Sequence, residues 1–306
     1  MTSKKFLITS AFIYLVLFFA TVTINYYLDD FGLFRSHSER RIWAREKTSK
    51  YLMSYKYIPE NFDAVLVGSS VSANLDTRKI TSYKMYNLSM NSGNITELKY
   101  PLEVLAESGK IKAVVFCLYD YTTKNSGVKG NQIDKKEYWG SLFSDIPFDV
   151  LKYKIKFKLL KRGFDVFHKS GNGFNNFNIT KKNIRFSDVA ESYMKDPREV
   201  LFIDPAAYEE LKNTVSLLKQ NNIRIYGYFY PIYKEWFRIF EKNGQWAEYK
   251  SKIMDVFEPE TDVVWDMNSE EYDYFTESED YYSDGHLSDR GAEELIKVIS
   301  GQLLNQ

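Results

Sequence analysis

Five short apolar runs, separated by segments of helical character, constrain the fold of this chain more than any other feature. The runs occupy residues 63–68, 84–88, 112–118, 223–229 and 261–266, and helical patterns occupy residues 97–108, 208–220 and 289–304. Strands that alternate with helices pair in parallel through crossover connections. Continuous apolar runs are typical of strands that are covered on both faces. The sequence therefore predicts an α/β fold built on a parallel sheet.

Residues 122–205 interrupt this alternation between the third and fourth predicted strands. The segment is rich in Lys, Asn, Phe and Gly. It is either a surface excursion with a few helices or a cap over a ligand site. An insertion at this place would leave the sheet near its carboxyl edge, where ligands bind in such folds.

A serine follows the first predicted strand, in the turn Gly68-Ser69-Ser70. A helix is predicted to begin next, over residues 71–77, and its first N–H groups would face the same point. Such donors suit a developing oxyanion, which makes Ser70 a candidate nucleophile. A serine at the start of a helix is also an ordinary N-cap.

A serine nucleophile needs a neighbouring base, most often histidine, and the chain has only His37, His168 and His286. His286 lies in a predicted loop before the final helix, two residues after Asp284. An aspartate can hold the imidazole in the required tautomer, so Ser70, His286 and Asp284 form a candidate triad. The alternative is a simple Asp-Gly turn with an exposed histidine. No second histidine follows at helical spacing, so we expect neither a metal nor another cofactor.

The segments around these residues resemble the SGNH, or GDSL, hydrolase superfamily. Residues 65–70 are similar to its first block, with Ser69 where Asp is usual, and residues 284–292 are similar to its last block. Residues 86–93 resemble the second block, which implies an oxyanion hole formed by the N–H groups of Ser70, Gly93 and, with a shifted alignment, Ser92. The resemblance implies a flavodoxin-like sheet, in the order 2-1-3-4-5, sandwiched by helices.

Two departures from this pattern concern the third and last blocks. The third block normally supplies an Asn to the oxyanion hole, but here the strand continues into Asp120 and Tyr121. Either of these two residues fills that space, or one donor is missing. In the last block, His286 follows Asp284 after a single intervening residue, and this short spacing is the second departure. The same Asp-x-His spacing occurs in the alginate O-acetyltransferase relatives, which this block resembles.

The N-terminal residues 6–24 are apolar and carry no charge. Nineteen residues at about 1.5 Å each nearly match the ~30 Å hydrocarbon layer of a bilayer. We therefore predict a cytoplasmic tail and transmembrane anchor over residues 1–28, a neck over 29–60 and an SGNH-like domain over 61–304 with the insert 122–205. A cleaved signal peptide and a buried helix are the alternatives. Lys4 and Lys5 favour an extracytoplasmic domain, whereas the arginines after the span argue weakly for the reverse.

The composition limits the class of partner. The chain carries 41 basic and 41 acidic residues, and a zero net charge does not favour nucleic acid. The single cysteine, Cys117, lies in an apolar run and is expected to pack as a small hydrophobe.

An anchor followed by an SGNH-like domain resembles the proteins that work beside membrane-bound O-acyltransferases, such as the D-alanyl transfer and alginate acetylation proteins. The resemblance implies a single-pass membrane protein that acts as an esterase or O-acyltransferase on a cell-surface glycan or a teichoic-acid-type polymer. A membrane-bound O-acyltransferase is then an expected partner. The alternative is a catalytically impaired scaffold or glycan-binding partner of such an enzyme.

Overall fold

The fold is taken from a computed structural model of the 306-residue chain. It describes residues 3–34, 45–124, 133, 136–145, 148–149, 152, 155, 168–169, 171–176, 201–272, 278–283 and 285–306.

A five-stranded parallel sheet forms the centre of the protein. The strands along the chain are β1 (Ala64–Val67), β2 (Met85–Asn87), β3 (Ala113–Leu118), β4 (His168–Lys169), β5 (Asn175–Asn176), β6 (Arg224–Phe229), β7 (Val263–Asp266), β8 (Tyr281–Ser283) and β9 (His286–Leu287). The central sheet has the order β2-β1-β3-β6-β7, while β4-β5 and β8-β9 form two small antiparallel pairs. In order of appearance the central strands give 2-1-3-4-5, which confirms the predicted fold class and sheet order.

Helices cover the sheet, and the first of them lies at the N-terminal end of the chain. They are α1 (Ser3–Leu28), α2 (Glu46–Met53), α3 (Tyr57–Asn61), α4 (Ser70–Ala73), α5 (Ile95–Glu107), α6 (Asp120–Thr123), α7 (Glu137–Gly140), α8 (Pro205–Gln220), α9 (Lys234–Lys242), α10 (Gln245–Met254) and α11 (Asp289–Leu304). Asp204 caps the N-terminus of α8, where its carboxylate accepts the N–H groups of Ala206 and Ala207, and Ser288 caps α11, where its hydroxyl accepts the Gly291 N–H.

Two apolar layers enclose the sheet because side chains alternate along each strand. Val65 and Val67 point into a layer formed with α5 and α8, whereas Ala64 and Leu66 point into a layer formed with α11. Every residue of β1 and β3 is buried. The continuous apolar runs in the sequence therefore correspond to strands covered on both faces.

Three local predictions differ from the structure. The helix predicted at 71–77 is a single turn, α4, and the loop predicted before the last helix folds as the hairpin β8-β9. Helices α9 and α10 were not predicted, although Trp236 and Phe240 carry helical spacing and are buried.

Part of the insert closes one edge of the sheet. The Asn87 N–H of edge strand β2 donates to the Asn172 carbonyl at 2.7 Å. A Cβ atom at Gly173 would lie 2.0 Å from the Asn87 oxygen, and this residue has φ +82°, so only glycine fits there. The described part of the insert therefore protects an edge strand that would otherwise expose its backbone groups.

Candidate active site

Ser70 is the first residue of α4 and lies at the carboxyl end of β1. The turn that delivers it needs close contact between backbone segments. A Cβ atom at Gly68 would lie 2.3 Å from the Ser72 Oγ and 2.7 Å from the Cys117 Cβ. Glycine at position 68 therefore lets α4 start directly against β3, and it fixes the height of Ser70 above the sheet.

The short helix α4 is held from the side of β2 by Asn87. The buried Asn87 Nδ2 donates to the carbonyls of Ser72 and Leu75 at 2.8 and 2.9 Å, and its Oδ1 accepts from the Ser89 N–H at 3.0 Å. These bonds satisfy carbonyls that lack partners at the end of a single helical turn. They explain why α4 is rigidly placed and why it ends earlier than the apolar pattern predicts.

The hairpin β8-β9 places His286 beside Ser70. The distance from the His286 Nε2 to the Ser70 Oγ is 3.0 Å. Ser70 is buried and His286 is half-buried. The two residues are 216 positions apart in the sequence, so the fold brings together the two ends of the predicted catalytic constellation at hydrogen-bond distance.

Leu287, the residue after the histidine, forms hydrogen bonds with polar groups of the core through both its backbone N–H and its carbonyl. The Leu287 N–H donates to the Tyr230 hydroxyl at 2.8 Å, and the Asn74 Nδ2 donates to the Leu287 carbonyl at 3.0 Å. Asn74 is the C-cap of α4. The Asn74 side-chain amide thus connects the helix that carries Ser70 to the strand that carries His286. The sequence pattern did not indicate these roles of Asn74 and Tyr230.

The predicted acid, Asp284, comes between β8 and β9 in the sequence and lies outside the described residues. The structure describes the strand register around it, with Ser283 opposite His286. The part that Asp284 plays stays a prediction.

The second-block loop, residues 88–93, runs beside the Ser70 turn. The Met90 N–H donates to the Gly68 carbonyl at 3.1 Å, and a Cβ atom at Gly93 would lie 3.2 Å from the same carbonyl. The Gly93 N–H donates to the Met90 carbonyl at 2.9 Å, which closes a turn through Ser92 at φ +50°. Gly93 therefore lies next to the Ser70 turn, but its N–H is used within the loop.

Helix α2 of the neck holds this loop through three charged side chains. Glu46 accepts the Asn91 N–H at 2.9 Å, Lys47 donates to the Ser92 carbonyl at 3.3 Å, and Lys50 donates to the Ser89 carbonyl. Lys50 is fully buried, with its ammonium 3.3 Å from the Glu46 carboxylate.

The same helix also pairs with Glu97 at the start of α5. Lys47 forms an ion pair with Glu97, which is 2 % exposed. The predicted neck is thus part of the support of the candidate site.

The third strand ends at Leu118, Tyr119 follows it, and α6 begins at Asp120. The side chains of Asp120 and Tyr121, the predicted substitutes for the third-block Asn, lie outside the described part of the chain. The Tyr119 ring packs on the Tyr230 ring at 5.4 Å between centroids. Its hydroxyl is 3.3 Å from the position that a Cβ atom would take at Gly285. Tyr119 therefore borders the histidine hairpin.

Cys117 lies below the site and is buried. Burial raises the pKa of its thiol to about 12, although hydrogen bonding with Tyr228 and Ser72 lowers it in part. Because the thiolate is the reactive form of cysteine, Cys117 packs as a small hydrophobe. Within the described ranges, no three His, Cys, Asp or Glu side chains are grouped so that they could hold a metal ion.

A cleft of about 470 Å³ opens beyond the carboxyl ends of β6 and β7. Its lining includes Lys234, Arg238, Met267 and Glu270, but neither Ser70 nor His286. The hydrogen-bonded pair, and not this cleft, defines the candidate site.

Comparisons with known proteins add little beyond the fold. No protein-family profile matches the chain, and no curated protein matches it. Among solved structures, it is similar to one described as a "putative platelet activating factor from Streptococcus pneumonia", with 11 % identity, a TM-score of 0.45, and coverage of 85 % of this chain and 91 % of that chain.

Proposed function

We propose that the protein is a membrane-anchored serine esterase or O-acyltransferase with Ser70 as nucleophile and His286 as general base. The observation that carries the proposal is the 3.0 Å contact between the Ser70 Oγ and the His286 Nε2 at the carboxyl edge of a parallel sheet. Nucleophile and base within hydrogen-bond reach are the signature of covalent acyl transfer.

In the proposed reaction, the Ser70 Oγ attacks the ester carbonyl while the His286 Nε2 takes the hydroxyl proton. The tetrahedral intermediate collapses as the imidazolium returns this proton to the leaving alcohol, and an acyl group remains on Ser70. Water or a sugar hydroxyl then attacks the acyl group while His286 takes its proton, and the bond from the acyl carbon to the Ser70 Oγ breaks as His286 returns that proton to the Ser70 Oγ. Asp284 is proposed to hold the proton on the His286 Nδ1, so that Nε2 is free to accept.

The oxyanion hole is proposed to use the N–H groups of Ser70 and the second-block loop. Because the Gly93 N–H is donated to Met90, the Ser92 N–H is the favoured donor from that loop. A Gly93 donor would require the turn to open. Each well-placed donor contributes roughly 3 kcal/mol to transition-state stabilisation.

Membrane anchoring is proposed for α1. The helix has 26 residues, and its most apolar window has a mean hydropathy of 2.3 with none of that window buried by the rest of the protein. A signal sequence passes the same test. We place the SGNH-like domain outside the cytoplasm, where a cell-surface glycan or teichoic-acid-type polymer would be the acceptor and a membrane-bound O-acyltransferase the partner.

The first test is hydrolysis of a p-nitrophenyl acyl ester by the purified full-length protein, with and without a polysaccharide acceptor. Release of nitrophenol by the wild type, and its loss in Ser70→Ala, is expected. Ser251, which is exposed on α10, supplies a matched control variant, Ser251→Ala, that should keep full activity. Acyl groups found on the polysaccharide would indicate transfer, and free acid alone would indicate hydrolysis. Equal rates for wild type and Ser70→Ala would refute the proposal.

A second candidate function is a scaffold that has lost catalysis. It is favoured by the Gly93 N–H being used within its own loop and by the absence of an Asn directly after β3. Replacement of the chromosomal copy by Ser70→Ala separates the two functions, because a scaffold would retain its cellular role and an enzyme would lose it.

A further inference from the structure

In addition to α1 itself, a short segment of the folded domain with apolar side chains packs against α1. It comprises α7 and the single 3-10 turn that follows it, Ser141–Phe143. The Phe143 ring packs on the Phe18 ring of α1 with 4.9 Å between centroids. The Asn25 Nδ2 donates to the carbonyls of Leu142 and Ser144 at 2.7 and 3.1 Å. The segment is therefore fixed along the last turns of the proposed anchor.

The position of this contact along α1 gives its depth. Phe18 lies six residues before Ile24, the last residue of the apolar run. At a rise of 1.5 Å per residue this corresponds to about 9 Å inside the hydrocarbon boundary. Elements that lie in a membrane interface without crossing it bury their apolar face to roughly 5–10 Å. Phe143 is at the depth typical of such an element.

The side chains of the segment suit that environment. Trp139, Phe143 and Phe148 are 77 %, 53 % and 53 % exposed on the folded domain. Large aromatic side chains that are grouped and exposed mark an interaction surface. Aromatic residues, Trp above all, are enriched where a protein meets the headgroup layer.

The polar groups nearby have hydrogen-bond or ion-pair partners within the protein, as a lipid environment requires. Asn25 is buried, and it provides donors for two carbonyls of the non-helical turn, which lipid could not do. Asp145 is paired with Arg45 at 2.7 Å. Asp145 is two positions after Phe143, a distance along the chain that can span about 7 Å, so this ion pair can lie at headgroup level while the ring lies deeper.

The segment is also joined to the support of the candidate site. The Tyr138 ring packs on the Tyr55 ring at 4.5 Å, and the Tyr55 hydroxyl is 2.6 Å from the hydroxyl of Tyr51 in α2. Helix α2 in turn holds the second-block loop through Glu46, Lys47 and Lys50.

We propose that the exposed aromatic side chains of Trp139, Phe143 and Phe148 form a monotopic membrane contact that seats the domain on the lipid bilayer beside α1. Its occupant is the boundary between headgroups and acyl chains of the membrane that α1 crosses. This inference rests on the anchoring proposed for α1 and goes beyond it, because an anchor with a flexible neck would leave the domain free to tumble. The contact sets the height of Ser70 relative to the membrane, which restricts acceptors to those held near the lipid surface.

Depth-dependent fluorescence quenching in nanodiscs tests the proposal. The full chain is labelled with the environment-sensitive dye NBD at Phe143→Cys, with Leu15→Cys in α1 as the lipid control and Ser251→Cys as the aqueous control. The only native cysteine, Cys117, is buried and will not react. Ser251 lies on α10, whose Lys250 pairs with Asp266 of β7, at the opposite edge of the sheet from β2.

Lipids with a spin label high on the acyl chain should quench the dye at positions 15 and 143 and leave position 251 unchanged. Quenching at 15 but not at 143 would overturn the membrane contact and leave the anchor intact. No quenching at either position would overturn both. Neither outcome bears on ester hydrolysis, which is measured separately on the same preparations.

Discussion

The two loops that flank Ser70 are held in contrasting ways. The histidine hairpin is fixed by neutral hydrogen bonds, one that it donates to Tyr230 and one that it accepts from Asn74, and both residues belong to the sheet domain itself. The second-block loop is held by the charged side chains of α2, which precede the sheet domain in the chain. The difference indicates that the nucleophile and base are positioned by the core fold, whereas the proposed oxyanion loop depends on the neck.

The largest effect is expected at the base itself. His286→Ala removes the acceptor for the Ser70 proton, and loss of one member of such a unit costs on the order of 10⁴-fold or more in kcat. The double variant with Ser70→Ala should be no slower, because the two residues act as one unit. Steady-state ester hydrolysis measures the effect, and additive losses would show that the pair does not act together.

Lys50→Met tests the charged support of the second-block loop. It leaves the Glu46 carboxylate and the Ser89 carbonyl without their ammonium partner, and breaking a buried ion pair costs roughly 3–5 kcal/mol of the free energy of unfolding. Denaturant unfolding of the full chain measures the loss. The exposed Lys110→Met should stay within about 0.5 kcal/mol of the wild type. An equally small effect for Lys50→Met would mean that α2 does not support the loop.

Tyr230→Phe tests the neutral support of the histidine hairpin. The variant leaves the Leu287 N–H unpaired in the core, at a cost of about 1–3 kcal/mol. If that loosens His286, kcat falls about tenfold for each 1.4 kcal/mol with KM unchanged. Tyr226→Phe in β6, the strand that directly precedes Tyr230, is the control, because the Tyr226 hydroxyl contacts that of Tyr83. A fall in stability with an unaltered kcat would give Tyr230 a purely structural role.

The smallest effect concerns Asp76, which accepts a hydrogen bond from the Asn172 side chain of the insert. Burial acts to raise the pKa of Asp76, but hydrogen bonds from Arg78 and Asn172 prevail and lower it from 3.8. Asp76 therefore stabilises the fold above its unfolded-state pKa, and this contribution is lost as the pH falls through the lower folded-state pKa. The stability difference between wild type and Asp76→Asn should be larger at pH 7 than below pH 3. A difference that does not vary with pH would contradict this account.

The sheet and the two ends of the candidate site were predictable because they depend on local patterns. Buried parallel strands leave apolar runs, and turns after strands leave Gly68 and Asp284-Gly285 in the sequence. The side chains that hold the histidine hairpin and the second-block loop in place were not predictable in the same way. A lysine at position 50, preceded by the polar residues Lys47, Thr48 and Ser49, has the pattern of a solvated helix face, and only the fold shows that it is buried.

Asn74 and Asn87 illustrate the same limit. In the sequence each is a polar residue near a turn, and nothing nearby indicates that its amide bonds to a distant or neighbouring backbone. Helices α9 and α10 are a different case, because the spacing of Trp236 and Phe240 did carry a helical signal.

The most direct test of the central claim is to label the full-length protein with a fluorophosphonate and locate the adduct by peptide mass spectrometry. This reagent phosphonylates a serine that a neighbouring base has activated. The account predicts one adduct on the peptide that carries Ser70 in the wild type, and its loss in both His286→Ala and Ser70→Ala. Labelling of Ser70 at an unchanged rate in His286→Ala, or of another serine instead, would contradict it.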